Sequence, residues 1–159
     1  MAVVLRGILE HERKSIEDIL RSTDFFYEFE IETALEIAED TLSEGIENSR
    51  FSWMKVTDEN GLVGFANYSK NAFSTHSWDL YWIAVHQNSR NRKLGSLLLN
   101  AVEDDIRKAG GKILWVETSG RPHYKPTEAF YQRNGYTLAA SLKDFYATGD
   151  PKQIYSKVL

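Results

Sequence analysis

Cysteine is absent from the 159-residue sequence, which excludes disulfides, thiol nucleophiles and thiolate-bound metals. Proline is scarce, with three residues, and no Pro-, Gly- or Ser-rich linker, repeat or low-complexity tract divides the chain. One domain spanning residues 1–159 is therefore expected, long enough to enclose a real core. There is no basic excess. Nineteen Lys and Arg against 23 Asp and Glu leave a net charge of −4, which argues against a general nucleic-acid or membrane binder. Long apolar runs are missing too. The opening MAVVLRGILEHERK holds only a brief one, broken by Arg6, unlike a signal peptide or a membrane span. A soluble, cytoplasmic protein is the default expectation. The four histidines, His11, His76, His86 and His123, lack ligand spacing, so no metal site is expected.

Apolar periodicity supplies the elements. AVVLRGIL reads as a first strand. SIEDILRS reads as a short helix, with Ser15 and Asp18 spaced like a capping box. Ile31, Ala34, Leu35, Ala38 and Leu42 fall on one stripe of an amphipathic helix that stops near Gly45. FSWMKVTD and LVGFANYSK are strands joined through ENG, and Asn60-Gly61 signals a hairpin. SWDLYWIAV is nearly all apolar, which predicts a central strand buried on both faces. Leu94, Leu97, Leu98, Ala101, Val102, Ile106 and Ala109 then mark a helix stopped by Gly110-Gly111. Glu103–Arg107 and Asp104–Lys108 are i,i+4 pairs assigned to its wet side. KILWVET is the next strand, parallel to the central one in a βαβ unit. TEAFYQRNGY reads as a short helix broken at Gly135. TLAASLKDFY and QIYSKVL close the chain as a strand pair around ATGDPK. The order β-α-α-β-β-β-α-β-α-β-β predicts an α+β protein, a mixed sheet with helices on its faces.

Between the central strand and the long helix lies a basic loop containing Arg90, Arg92 and Lys93. Cations are unfavourable at a helix N-terminus, where unpaired N–H groups already carry partial positive charge. They make sense if an anion sits there, held by backbone N–H groups and charge-assisted bonds, with Gly95 permitting close backbone approach. A merely solvated basic loop is the alternative. Neither the P-loop pattern nor GxGxxG is present, so the phosphate-bearing ligand is of another kind.

Two blocks resemble the GNAT superfamily of acetyl-CoA-dependent N-acetyltransferases. RNRKLG, Arg90 to Gly95, lies five residues after Val85 and resembles the family's loop Gln/Arg-x-x-Gly-x-Gly/Ala opening a helix. TEAFYQRNGY places Phe130, Tyr131, Gly135 and Tyr136 in register with the family's later helix. The likeness covers most of the chain and is clearest from Trp78 to Leu159. Lys93 stands where the loop usually has its first Gly, Asn91 where a second is often found, and Thr127 where the later motif begins with Ala.

The resemblance implies a mostly antiparallel sheet of six to seven strands with helices on both faces. Its central parallel strands, Asp79–Val85 and Ile113–Thr118, are splayed. Acetyl-CoA would lie in that cleft, its pantetheine arm beside Ile83, Ala84 and Val85. Its pyrophosphate would meet Arg90, Asn91, Arg92, Lys93, Leu94, Gly95 and Ser96. Tyr124 falls where the family often has a CoA-contacting Asn. Tyr131 falls where many members carry a Tyr near the CoA sulfur, although it could be a core aromatic. Asp79 sits where some members place a general base, although it could be a strand-start Asp bonded to backbone. Glu117, at the end of the second cleft strand, could bind the cationic amine or relay its proton. His123, adjacent to Tyr124, could join a water relay. A backbone N–H near Val85 would polarise the thioester carbonyl. Phe145 and Tyr146, in DFYATGD, and the aromatic segment 23–30, TDFFYEFE, could line the acceptor side or simply pack. The implied activity is acetyl transfer to a primary amine of a small molecule or peptide by direct attack, without nucleic acid or membrane partners. A homodimer is a family-level expectation. A non-catalytic acyl-CoA-binding or sensing module is the competing reading, and Lys93 is its main support.

Overall fold

The computed structural model describes residues 1–159. Its strands are β1 (Val3–Arg6), β2 (Ser52–Asp58), β3 (Gly61–Lys70), β4 (Ser77–Val85), β5 (Ile113–Ser119), β6 (Thr137–Ala147) and β7 (Asp150–Val158). They form one sheet in the order β1-β2-β3-β4-β5-β7-β6. Only β4 and β5 are parallel; every other neighbouring pair is antiparallel. The helices are α1 (Arg13–Ser22), α2 (Glu28–Glu44), α3 (Leu94–Lys108) and α4 (Lys125–Arg133). This is the α+β architecture the sequence predicts. No helix is long and apolar enough to cross a membrane.

Strand alternation divides the core into two layers. Met54, Val56 and Ala66 point to one face, where Leu98, Leu99, Val102 and Ile106 of α3 cover them. Trp53 and Phe65 point to the other, under Ile16, Ile19 and Leu20 of α1 and Ile31, Ala34 and Ala38 of α2. Each such aliphatic side chain contributes about 1.5–3 kcal/mol by leaving water, so both helical layers are fixed against the sheet.

Three local expectations are corrected. The helix expected to start at Ser15 begins at Arg13, after a 3-10 turn at Glu10–Glu12. Its entry is held by the Leu9 N–H donating to Glu12 Oε2 at 2.7 Å, while Asp18 pairs with Lys14. Glu103 is not on the wet side of α3. It is 2 % exposed and accepts from the Tyr136 hydroxyl and Lys157 Nζ, both at 2.8 Å. The strand buried on both faces is β3, closed without interruption from Val63 to Ser69. In β4 only Leu80 and Ala84 are buried, and Tyr81 is 45 % exposed. The reason is that β4 loses a neighbour halfway along.

Candidate active site

β4 and β5 pair from Ser77↔Ile113 to Leu80↔Val116 and no further. On its other side β4 pairs with β3 through a bulge: Leu80 faces Tyr68, Trp82 faces Asn67, and Tyr81 is the extra residue. Bulges bend and twist the strand that carries them. Beyond Tyr81, β4 follows β3, while β5 follows β7 through Ser119↔Lys152. The two parallel strands therefore part, leaving a cleft of about 1390 Å3. The His86 N–H donates to Val63 on β3 at 2.8 Å. By antiparallel alternation Ala84 also turns its backbone groups to β3, so Ile83 and Val85 aim theirs into the cleft.

At the mouth of the cleft α3 begins with Lys93 as its N-cap, and no side chain caps the helix. The first three N–H groups of a helix have no intrahelical partner, so those of Leu94, Gly95 and Ser96 are open to a ligand. Asn91 (φ 65°) and Lys93 (φ 59°) both adopt the left-handed conformation. This explains why glycine suits both places in the related loop pattern. Asn tolerates that conformation; Lys holds it at a cost of about 1–2 kcal/mol. Gly95 has a second constraint. A Cβ there would lie 3.0 Å from Phe130 Cε1, so its missing side chain lets α4 approach the start of α3.

Of the residues implicated by sequence in cofactor binding, Ile83, Ala84, Val85, Arg90, Asn91, Lys93, Leu94, Gly95, Ser96 and Tyr124 all line this one cleft. Arg92 does not. Its Nη1 donates to Asp58 Oδ2 at 2.7 Å, which turns its charge away to the β2–β3 hairpin and holds the Asp58 carboxyl below its usual range. Arg90 Nη2 reaches the Thr23 carbonyl at 3.5 Å, with the guanidinium over the Phe25 ring. Tyr124 donates its hydroxyl to the Phe25 carbonyl at 2.9 Å, so it ties the segment between α1 and α2 to the segment before α4.

The three catalytic candidates separate. Tyr131 lines the cleft from α4 although it is only 4 % exposed. Its ring packs against Phe130, Tyr136 and Tyr155. Burial alone pushes its phenol well above the ordinary value, with no hydrogen bond contributing, so the group stays protonated. Glu117 lines the cleft and also a smaller pocket beside it. Alternation along β5 puts Val116 in the α3-side core and Glu117 on the opposite face. Lys152 Nζ pairs with Glu117 Oε2 at 2.7 Å. Asp79 lies outside the cleft. It accepts from Asn71 Nδ2 at 2.9 Å and lines only the smaller pocket, because it sits in the stretch where β4 and β5 are still paired.

On the acceptor side Tyr146 lines the cleft and Phe145 does not. The Phe145 ring turns out under Lys152 Nζ, 4.3 Å from its centroid. Several lining residues escaped the sequence reading. Asp150, 7 % exposed, accepts from Ser119 Oγ and pairs with Arg121 Nε at 3.2 Å. Arg121 Nη1 donates to the Tyr27 hydroxyl, bridging the two sides of the mouth. Asp150 and Arg121 lie in turn-like, unpatterned sequence, and only tertiary pairing brings them together.

The whole chain superposes on an acetyltransferase of the GNAT family from Desulfovibrio desulfuricans at 34 % identity, with TM-score 0.95 and 99 % of each chain covered. An aminoglycoside 6'-N-acetyltransferase complexed with coenzyme A shares the fold at 17 % identity, with TM-score 0.78, covering 98 % of this chain and 96 % of that one. The ribosomal-protein-S18-alanine N-acetyltransferase of Escherichia coli shares it at 18 % identity, with TM-score 0.76, covering 99 % and 94 %. Among curated protein sequences the chain has no match. Residues 14–136 match the model of the acetyltransferase (GNAT) family, and by that match and the 34 % identical structure the chain belongs to this family.

Proposed function

We propose that this protein transfers an acetyl group from acetyl-CoA to a primary amine of a small molecule or peptide, by direct attack. The observation that carries this reading is the juxtaposition of an uncapped α3 N-terminus with parted strands β4 and β5. The first suits a diphosphate. The second offers backbone groups of Ile83 and Val85 to an amide-bearing arm, and an N–H there can stabilise the carbonyl oxygen as it gains charge. Arg90 and Lys93 complement the anion; Arg92, paired with Asp58, does not.

The amine nitrogen bonds to the thioester carbon as the carbon–sulfur bond breaks. An ammonium acceptor sheds two protons in all, of which one ends on the sulfur and one in solvent. Of the two carboxylates implicated by sequence, we assign Glu117 to receive a proton from the amine, since it lines the cleft and Asp79 does not. A phenol raised above its usual pKa of about 10 is a weaker acid than a thiol of about 8.5. Tyr131 therefore stabilises the departing thiolate by donating a hydrogen bond rather than by surrendering its proton. The non-catalytic alternative rested on Lys93. Its backbone keeps the left-handed conformation a glycine would take, which supports an intact phosphate loop.

Calorimetric titration with CoA and a thiol-release assay with an amine panel test the reading together. CoA should bind wild type and Tyr131→Phe equally, while turnover of the variant falls about 10- to 100-fold. CoA binding without turnover of any amine by the wild type would overturn it in favour of a binding module.

A further inference from the structure

The acceptor end of the cleft carries a definite charge balance. Its carboxylates are Glu30, Glu117 and Asp150. They converge on Tyr146, whose phenol is pushed up to about 12, first by burial and then by these three groups and Tyr124. Two of them are already neutralised: Glu117 by Lys152 at 2.7 Å, Asp150 by Arg121 at 3.2 Å. Glu30 has no cation. Its Oε1 accepts the Tyr27 N–H at 3.0 Å, and the other oxygen is left over.

Around this single uncompensated charge stand exposed rings. Tyr27 and Phe29 lie nearly parallel, 5.7 Å apart with planes at 11°, and are 49 % and 66 % exposed. Tyr146 is 48 % exposed. Exposed apolar surface gathered in one cleft marks a place to be covered, and aromatic faces favour flat or cationic partners. A polycation fits badly. Each further ammonium would need a free carboxylate and would be repelled by Arg121 and Lys152.

Building on the acetyl-transfer reading, we infer that the acceptor is a monocationic primary amine carried on a flat aromatic body. Its ring lies against Tyr27, Phe29 and Tyr146, and its charge is balanced by Glu30.

The test is calorimetric titration of phenethylamine and of spermidine into the protein saturated with CoA, which supplies no acetyl group. Phenethylamine should bind about 10-fold more tightly than spermidine, and Phe29→Ala should weaken it by about 5- to 10-fold with CoA affinity unchanged. Glu30→Gln should weaken phenethylamine similarly. Equal or tighter binding of spermidine, or phenethylamine binding indifferent to both variants, overturns the inference. Thiol release from acetyl-CoA on the same samples separates the two claims. Selective binding without turnover removes the acetyl-transfer reading and leaves the recognition intact. Turnover of spermidine in preference to phenethylamine removes only the recognition.

Discussion

Lys93 offers a measurement in which backbone strain and ligand charge can be separated. The residue caps α3 with φ 59° and ψ 21°, a conformation that costs an L-residue about 1–2 kcal/mol. Its charge also opposes the helix dipole, by about 0.3–1 kcal/mol at an exposed terminus. Lys93→Gly relieves both terms in the free protein. Against this, glycine frees the unfolded chain, at a cost of about 0.4–1 kcal/mol. The net is a stabilisation of about 0.3–2.6 kcal/mol, centred near about 1.5 kcal/mol, which corresponds to about 3–6 °C in Tm for a chain of this size. Binding should move the other way. A charge-assisted contact to phosphate contributes about 1 kcal/mol or more, so CoA affinity should fall about 5-fold or more at low salt. The loss should shrink as ionic strength rises. Thermal melts without ligand and calorimetry with CoA at two salt concentrations read the two effects separately. Lys93→Val is the control, because a β-branched residue resists positive φ, and it should lose stability as well as affinity. A destabilised Lys93→Gly, or one that binds CoA with unaltered affinity and salt dependence, would refute the reasoning.

Gly111→Ala should destabilise by about 1–3 kcal/mol through overpacking, because the new Cβ would stand 2.2 Å from Ile106 Cγ2 and 2.6 Å from Trp78 Nε1. Calorimetric melting would register this as a drop of about 2–4 °C per kcal/mol, and an unchanged Tm would count against the packing assignment. The Asp58 carboxyl lies below its ordinary value of 3.8, chiefly through the hydrogen bond from Arg92 and then through the Asn60 N–H. Its stabilising contribution is therefore complete above that ordinary value and lost as pH falls through the lowered one. The Tm gap between wild type and Asp58→Asn should stay level above about pH 5 and narrow in more acid solution; a gap that widens on acidification would contradict the pairing.

Local chemistry made most of the architecture readable. The stripe from Ile31 to Leu42 and the one from Leu94 to Ile106 are amphipathic helices in the structure. The ENG turn joins β2 to β3 with Gly61 at φ 91°. Glu103 and Arg92 are misread for one cause: their partners come from distant sequence. Glu103 looks like the acidic member of a surface pair because Arg107 lies four residues on. Its actual partners, Tyr136 and Lys157, follow it by 33 and 54 residues. Arg92 looks like a phosphate ligand because Arg90 and Lys93 flank it, yet it is turned aside by an aspartate 34 residues earlier. Asp79 and Glu117 both project from cleft strands. Only the end point of β4–β5 pairing, at Leu80↔Val116, decides that one faces the cleft and the other does not.

That end point also explains why SWDLYWIAV misleads. A strand apolar throughout is normally one with sheet neighbours on both sides and helices on both faces. β4 meets that description up to Leu80 and then, past the bulge at Tyr81, presents one edge to an open cleft. A backbone N–H or C=O left dry costs about 1–3 kcal/mol, so the exposed edge at Ile83 and Val85 must be wetted or paired by a ligand. Closing β5 onto β4 would satisfy those groups but abolish the cleft. Instead β5 follows β7 as far as Ser119 while β4 bends at the bulge and follows β3. Under the proposed function, the apolar run in β4 is thus the wall of a binding site whose missing strand is the ligand. Tyr81 is the extra residue at that bend, where the two strands begin to separate.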